Sequence, residues 1–195
     1  MASSFFALLS RMKYISRWAL MRNLSGENLS EHSLETAVLA HCLVTLRNTR
    51  FCPEQPLSAE RAATLALFHD MPEVLTGDMP TPVKYHSEHL RAAYRQVEAS
   101  ACASLLGLLP EDLRGTYAPL LTPEESEAGL WKYVKAADKL SALIKCMEER
   151  KAGNREFIRA EASLKEILRG MQLPALECFM EEFLPAYEEP LDGMM

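Results

Sequence analysis

The chain has 195 residues, of which 48% are hydrophobic and 25% are charged, and its net charge is −6. These values are typical of an ordinary globular domain and exclude collagen-like, linker-rich and disordered chains. The acidic balance, without a long run of either sign, also excludes a broad nucleic-acid-binding face. Any phosphate group must therefore be recognised by a small local cluster of cations or by a metal ion.

The five cysteines are odd in number, widely spaced and free of C-x-x-C pairs, which is typical of reduced thiols in a cytoplasmic protein. Near the N-terminus, an apolar stretch is followed by Arg11, Lys13 and Arg17 without a small-residue cleavage site, so we expect no signal peptide. Every window long enough to span a bilayer contains charge, so we expect no membrane partner.

Apolar residues recur mostly at helical spacing, and alternating runs long enough for strands are missing, which predicts an all-α fold. A first helix is predicted over about residues 4–15. A second helix is predicted to begin after Ser30, as its N-cap, and to reach about residue 47. The residues predicted to share the core-facing side of this second helix are Leu34, Ala37, Val38, His41 and Thr45.

A third helix is predicted to begin after Ser58, as its N-cap, and to end before Pro72. The segment 76–82 contains two prolines and a glycine, which predicts a rigid loop without regular structure. Another helix is predicted over about residues 87–106, where a glycine and a proline end the pattern.

The last long helix has a strong start signal at Thr122, with Pro123 in the first helical position and a glutamate reaching back as a capping box. It is predicted to run to about residue 151, and one or two further helices are expected over 155–187. No repeat or linker divides the chain, which predicts one domain over residues 1–195.

The strongest chemical signal is the adjacent pair His69 and Asp70, which stands just before Pro72 and is followed by Glu73. Neighbours in a helix diverge by about 100°, so both side chains reach one ion only at a helix end, where Pro72 places them. Imidazole and carboxylate groups suit a divalent transition ion. The alternative is a helix C-terminus in which the histidine is partly buried and the aspartate caps a loop.

Two further residues are candidates for the same site. His32 lies in the first turn of its helix, and Asp138 follows Val134 by four residues and Leu130 by eight, which turns its carboxylate toward the apolar side. A carboxylate in that position needs a compensating cation or several hydrogen bonds. A structural salt bridge is the alternative explanation for Asp138.

In chain order, His32, the His69-Asp70 pair and Asp138 form an H…HD…D pattern that resembles the HD-domain phosphohydrolase superfamily. The surrounding sequence more specifically resembles the YfbR-type 5′-deoxynucleotidases over nearly the whole chain. The motifs that carry this resemblance are Arg17-Trp18, Glu27-Asn28-Leu29-Ser30-Glu31-His32-Ser33, His69-Asp70, Glu73-Val74-Leu75-Thr76-Gly77-Asp78-Met79-Pro80-Thr81-Pro82-Val83-Lys84-Tyr85 and Lys135-Ala136-Ala137-Asp138. Pro72 departs from the family pattern and puts the reach of Glu73 in question.

The resemblance implies a single-domain HD helical bundle, with the metal-site core over about residues 28–150 and C-terminal helices over about 155–187 packed on it. It implies one divalent cation, Co²⁺ first and Mn²⁺ or Cu²⁺ as alternatives. The ligands it implies are His32, His69, Asp70 and Asp138. The implied reaction is in-line attack of a metal-activated water on a deoxyribonucleoside 5′-monophosphate, in a cytoplasmic homodimer that binds no nucleic acid polymer.

The resemblance also assigns roles around the metal. Arg17 would orient the phosphate, Trp18 would lie against the sugar and exclude a 2′-hydroxyl, and Glu73 would transfer protons. Asp78, Met79, Pro80 and Thr81 would contact the sugar or the phosphate edge, and His32, Asp70 and Asp138 would also touch the substrate. Considered without the resemblance, each of these residues has an alternative that stays open. The alternatives are a surface position for Arg17, a core position for Trp18, an ion pair with a lysine for Glu73 and a simple turn for Asp78.

Two other functions stay open at this point. The four ligand types alone do not distinguish a monophosphate from a phosphodiester or a nucleoside triphosphate as substrate, although Arg17, Trp18 and the Asp78 loop favour the monophosphate. A metal-free helical interaction module is the second alternative. Of the remaining histidines, His41 is predicted to lie in the core, and His86 and His89 are predicted to be exposed.

Overall fold

A computed structural model describes residues 2–84, 86–122 and 124–193, and this part of the chain contains helices and no β-strand. The all-α prediction is confirmed. The helices are α1 (Phe5–Leu9), α2 (Leu29–Leu46), α3 (Ala59–Phe68), α4 (Glu73–Thr76), α5 (Thr81–Lys84), α6 (Glu88–Gly107), α7 (Glu111–Leu121), α8 (Ala128–Lys151), α9 (Ile158–Gly170) and α10 (Pro174–Glu182). Among the described residues, no helix is both long and apolar enough to cross a bilayer.

The main core lies where α2, α3 and α8 pack together, with α9 against α8 and α10 against α2. Leu43 of α2, Leu65 of α3 and Leu140 of α8 are fully buried there, and burying a side chain of this size contributes about 1.5–3 kcal/mol. A second core joins the N-terminal segment to α6 and α7 through Phe5 and Leu105. These two cores hold the three helices that carry the candidate ligands in a fixed arrangement.

The predicted core-facing side of α2 is wrong for most of its residues. Leu34 and Val38 are 62% and 63% exposed, and His41 and Thr45 are also exposed. Ala37 is buried as predicted. The buried face carries polar residues beside apolar ones, so apolar spacing alone selects the wrong side of this helix. The residues buried on α2 include His32, Ser33, Thr36, Leu39, Ala40, Leu43 and Val44.

His41 is therefore not a core histidine. His86 and His89 are exposed, as predicted.

Helix starts agree with the sequence where a side-chain cap exists. Ser58 accepts a hydrogen bond from the backbone N–H of Arg61 and caps α3, as predicted. The cap of α2 is Asn28 rather than Ser30, because Asn28 and Glu31 exchange hydrogen bonds with each other's backbone in a capping box. The first predicted helix continues from α1 as a 3-10 turn over Ser10–Tyr14.

Two predictions, one about a loop and one about a helix start, are wrong in part. Within the segment 76–82, only residues 77–80 are irregular, because Thr76 ends α4 and α5 begins at Thr81. Gly77 has a φ of +73°, which suits glycine. The last long helix begins at Ala128 after a 3-10 turn, not at Thr122, and ends at Lys151 as predicted. Pro123, with its predicted N1 position, lies outside the described residues, as does Tyr85.

Helix α7 is not predicted by the apolar pattern. Gly115 and Pro119 interrupt it, and both residue types are unfavourable in a helix interior. Packing against α3 and α6 stabilises α7 in spite of this composition.

Candidate active site

Four side chains from distant parts of the sequence converge at one point. His32 lies in the first turn of α2, His69 and Asp70 follow the last turn of α3, and Asp138 lies in α8. One potential ligand atom of each lies within 4.8 Å of the others. His32 Nε2 is 3.5 Å from Asp70 Oδ2 and 3.2 Å from Asp138 Oδ1, and His69 Nε2 is 3.1 Å from Asp70 Oδ2. The structure thus brings together all four predicted ligands.

Both imidazoles present the same nitrogen to this point. His69 Nδ1 lies 2.6 Å from the carbonyl oxygen of Ala66, which accepts a hydrogen bond and leaves the lone pair on Nε2. That Nε2 is buried and has no hydrogen-bond partner among the described residues. The carboxylates of Asp70 and Asp138 face His32 Nε2, so four potential ligand atoms converge on one point. This donor set fits a divalent transition ion.

The electrostatics of the cluster favour a positive charge at its centre. Burial acts to raise the pKa of Asp70, but the imidazoles of His69 and His32 outweigh it and hold the pKa well below its usual range. Burial likewise opposes ionisation of Asp138, and contacts with His32 and Lys139 lower its pKa. Conversely, burial acts to lower the pKa of His32, while Asp138, Asp70 and Glu27 raise it well above normal.

Arg17 lies at the edge of the cluster, with a side chain that is only 12% exposed. Its Nη1 is 3.5 Å from Asp70 Oδ2 and its Nε is 3.6 Å from Glu27 Oε2. These distances are long for charge-assisted hydrogen bonds. The buried Nε has no hydrogen-bond partner in the described part of the chain, so donor capacity remains. The structure therefore excludes a surface arginine and places Arg17 beside the candidate ligands.

Trp18 is half-buried and has a left-handed backbone conformation, with a φ of +59°. Its indole N–H donates to Glu27 Oε2 at 2.7 Å, and its ring lies 5.3 Å from that of Phe157. A non-glycine residue in this conformation is uncommon and must be held by its surroundings. These two contacts therefore fix the indole close to Arg17.

Glu27 is a site residue to which sequence reasoning assigns no role. Its carboxylate contacts Trp18 and Arg17, and Oε1 lies 3.5 Å from His32 Nδ1. Burial acts to raise its pKa, but His32 and Arg17 outweigh this and lower it. Because Glu27 lies outside a helix, no periodicity identifies it, and its position within the motif that contains His32 is the only sequence signal.

Glu73 begins α4 and is buried against the cluster. Its Oε2 has no hydrogen-bond partner among the described residues. Burial, with the nearby carboxylates of Asp70 and Asp78, raises the pKa of Glu73 to about 9. The ion pair that Lys84 forms in this region is with Glu98, whose Oε1 lies 2.7 Å from Lys84 Nζ. Pro72 takes the N-cap position with a φ of −56°, so it starts α4 instead of disrupting it.

The loop that follows α4 contributes Asp78 to the surroundings of the cluster. Burial raises the pKa of Asp78, and Arg17 opposes that shift, so the carboxyl group lies within electrostatic range of the guanidinium. Met79 and Pro80 are half-buried, and Thr81 is exposed. Asp78 therefore lies near the cluster, and the contacts of Asp78 and of the other three residues with a substrate stay predictions.

A cavity of about 420 Å³ opens beside the cluster, which is within the range of small-molecule sites. His69, Asp70 and Glu73 line one end, and α6 and Trp131 form its walls. The cavity gives a small molecule access to the side of the cluster on which Glu73 lies.

Comparisons with known proteins identify the family of this chain. The family profile described as "5′-deoxynucleotidase YfbR-like" matches residues 4–187. A 5′-deoxynucleotidase of Erwinia tasmaniensis is 46% identical over 97% of this chain and 95% of its own length. The 5′-deoxynucleotidase YfbR of Escherichia coli is 44% identical over 97% of this chain and 94% of its own.

Two solved structures share the fold at lower sequence identity. An HD-domain phosphohydrolase of Listeria innocua has a TM-score of 0.82 at 23% identity, covering 94% of this chain and 88% of its own. The cyanophage S-2L HD phosphohydrolase DatZ, bound to dA and one catalytic Zn²⁺, has a TM-score of 0.63 at 18% identity. This match covers 94% of this chain and 96% of the DatZ chain. Both show that the chain has the HD-domain fold.

Proposed function

We propose that this chain, which belongs to the YfbR-like 5′-deoxynucleotidase family, hydrolyses deoxyribonucleoside 5′-monophosphates to a deoxynucleoside and inorganic phosphate. The observation that carries the proposal is the convergence of His32, His69, Asp70 and Asp138 within 4.8 Å, beside a buried arginine. The cyanophage neighbour, which holds dA and a catalytic Zn²⁺, supports a nucleotide substrate.

His32, His69, Asp70 and Asp138 would hold one divalent cation, for which we propose Co²⁺, with Mn²⁺ or Cu²⁺ as alternatives. Such an ion lowers the pKa of a bound water and offsets charge on phosphoryl oxygens when it is present. His32, Asp70 and Asp138 also surround the position of the phosphate in this proposal. The finding that supports this donor set is His69 Nε2, which has no hydrogen-bond partner among the described residues and lies 3.1 Å from Asp70 Oδ2.

Arg17 would bind two phosphate oxygens through its planar guanidinium. The contacts with Asp70 and Glu27 are long, and Nε has no hydrogen-bond partner in the described part of the chain, which leaves donors for a substrate. Because the protein is acidic overall, this local cation is needed to hold an anionic group near carboxylates. We therefore assign Arg17 to orienting the phosphate.

Glu73 would transfer a proton to or from the reacting oxygens. Its carboxyl group is buried, has an oxygen without a hydrogen-bond partner among the residues that the structure describes, and lies near Asp70. These are the properties of a carboxyl group that can hold a proton at neutral pH and release it within a closed site. A structural carboxylate would have its hydrogen bonds satisfied instead.

Selectivity for deoxyribose would come from Trp18, whose rigid indole would leave no space for a 2′-hydroxyl. Asp78 would accept a hydrogen bond from the 3′-hydroxyl, and Met79, Pro80 and Thr81 would line the sugar or phosphate edge. The contacts that hold Trp18 on Glu27 and Phe157 support this rigidity.

We also propose a cytoplasmic homodimer. The free cysteines of the chain support a reducing compartment, and the exposed Leu34 and Val38 on α2 support an apolar contact between subunits.

The test is phosphate release from ribo- and deoxyribonucleoside mono-, di- and triphosphates and from a phosphodiester, after chelation and after return of Co²⁺, Mn²⁺, Cu²⁺ or Zn²⁺. We expect metal-dependent release from deoxyribonucleoside 5′-monophosphates with little preference among bases. Faster release from a triphosphate or a diester would assign another HD-domain reaction. Absence of metal binding and of release would favour the interaction module.

A further inference from the structure

We propose that Ser141 and Glu35 are positioning residues that fix the tautomer of His32, so that its Nε2 faces the candidate metal site. The inference rests on the proposed function in one respect, because it takes His32 as a metal ligand. It concerns two side chains that are not among the four candidate ligands and to which the sequence pattern assigns no role.

The hydrogen-bond distances establish a chain of three groups. His32 Nδ1 lies 3.1 Å from Ser141 Oγ, and Ser141 Oγ lies 2.5 Å from Glu35 Oε2. His32 and Ser141 are both fully buried. Glu35 follows His32 by three residues on α2, and Ser141 follows Asp138 by three residues on α8, so the chain of groups crosses the packed interface between these helices.

The number of protons decides the direction of each bond. A serine hydroxyl has one proton, and Ser141 donates it to the Glu35 carboxylate. The oxygen of Ser141 can then only accept in its contact with the imidazole, so His32 Nδ1 must carry a proton and donate it. The lone pair of the neutral ring is therefore on Nε2, which faces Asp70 and Asp138.

Two other groups approach the ring, and both lie farther away. Glu27 Oε1 is 3.5 Å from Nδ1, and Thr36 Oγ1 is 3.5 Å from Nε2. Glu27 is also bound by the indole N–H of Trp18 through its other oxygen. Ser141 is thus the nearest hydrogen-bond partner of Nδ1 among the described residues.

The two histidines of the cluster differ in how their rings are held. His69 donates to the backbone carbonyl of Ala66, a group that no side-chain substitution removes. The ring of His32 is held by a side chain from another helix, so one substitution can remove the hydrogen bond that orients it. Loss of the partner of a ligating histidine typically costs about 10–100-fold in metal affinity.

The experiment measures the dissociation constant of Co²⁺ and Zn²⁺ for the metal-free full-length protein, by competition with a chromophoric chelator and without nucleotide. We expect Ser141→Ala to bind about 10–100-fold more weakly than the wild type. The matched control is Ser33→Ala, because Ser33 is a buried serine beside His32 whose hydroxyl has no hydrogen-bond partner in the described chain. This control should keep both the wild-type metal affinity and the wild-type activity.

Glu35→Gln provides a second variant, because Glu35 is only partly buried and its replacement keeps the side-chain volume. A neutral amide is a weaker acceptor for the Ser141 proton, so we expect a smaller loss of affinity in the same direction. In the Zn²⁺-loaded protein, ¹⁵N shifts of the His32 ring should report a protonated Nδ1 in the wild type and a changed Nδ1 environment in Ser141→Ala.

His69→Ala separates failure of this inference from failure of the proposed function. If His69→Ala weakens binding while Ser141→Ala and Glu35→Gln bind like the wild type, the positioning role is overturned and the metal site stands. If the wild type itself binds neither ion, the proposed function fails, and the positioning role fails with it. Equal losses in Ser33→Ala and Ser141→Ala would also overturn the inference, because they would reflect packing alone.

Discussion

Two buried glutamates of this protein, Glu149 and Glu73, differ in their hydrogen-bond donors and in the direction in which their pKa values are shifted. Glu149 is 1% exposed and Glu73 is 9% exposed. The carboxylate of Glu149 accepts hydrogen bonds from the backbone N–H groups of Leu24 and Ser25 and from the side chains of Lys145 and Asn154. Burial acts to raise its pKa, but these donors outweigh it and lower the pKa to about 2.

Within the described part of the chain, Glu73 has no comparable set of donors, and burial raises its pKa to about 9. The difference teaches that the number of donors, not the depth of burial, decides whether a buried carboxylate stabilises a fold. Glu149 fastens the segment before α2 to α8, and this segment carries Glu27. Three buried atoms that have no hydrogen-bond partner among the described residues, Glu73 Oε2, Arg17 Nε and His69 Nε2, lie in or beside the candidate site, where a substrate or an ion can satisfy them.

The largest effect is expected at the candidate ligands. Asp138→Ala and His69→Ala should each abolish phosphate release, because each removes a group that positions the metal. Helical content, measured by far-ultraviolet circular dichroism, should stay largely intact. Full turnover in metal-replete buffer would contradict the four-ligand site.

Glu73→Gln and Glu149→Gln form a matched pair that tests whether the two glutamates have different roles. Glu73→Gln should slow turnover by about 10²–10⁴-fold and leave metal affinity unchanged, because it removes a proton-transfer group. Glu149→Gln should retain most of kcat but lower the free energy of unfolding by about 3 kcal/mol, because it breaks a buried ion pair. Reversed outcomes, seen in steady-state kinetics and urea unfolding, would show that the two roles are misassigned.

Arg17 and Lys145 extend the comparison to buried cations. Arg17→Ala should lower kcat/KM by about 2–4 kcal/mol in transition-state terms, because a bidentate contact with the phosphate is lost. Lys145→Met should mainly lower stability, because Lys145 already binds Glu149 and the carbonyl oxygen of Ser25. A decrease in kcat/KM of less than about tenfold for Arg17→Ala would exclude the phosphate-binding role.

Trp18 shares one property with Glu149 and one with Glu73. Its indole N–H has a hydrogen-bond partner, and its ring lies near the candidate site. In the wild type, a clash between the indole and the 2′-hydroxyl of a ribonucleotide would displace the phosphate, and a displacement of about 1 Å costs on the order of 10²-fold in rate. Trp18→Ala removes this clash and should therefore allow hydrolysis of ribonucleotides. The measurement is the ratio of kcat/KM for dAMP and AMP. Equal hydrolysis of both by the wild type would refute this role.

The smallest effect concerns acid stability. The pKa of Glu149 is about 2 in the folded state and 4.5 ordinarily, so its ionisation stabilises the fold fully above pH 4.5 and this contribution is lost as the pH falls through 2. The stability difference between the wild type and Glu149→Gln should shrink over this range. Glu73 has the opposite sign, because its raised pKa favours the folded state at low pH, and this contribution is lost as the pH rises toward 9.

Local chemistry made much of the site predictable from the sequence. Pro72 places His69 and Asp70 at a helix end, and the positions of Val134 and Leu130 turn Asp138 inward. The family motifs then add His32 and Arg17. Side-chain caps such as Ser58 also fix helix starts, because both partners of the hydrogen bond lie within one turn.

Only the tertiary structure decided which face of α2 is buried and which groups satisfy its polar residues. Leu34 and Val38 are exposed while His32 and Ser33 are buried, because the packing of α2 against α3 and α8 outweighs apolar spacing within one helix. The contacts of Glu27, Ser141 and Glu149 likewise join residues from different elements or loops. Hydrogen bonds between distant segments leave no periodic signal, so the sequence determined the candidate ligands, while the fold determined the groups that surround and hold them.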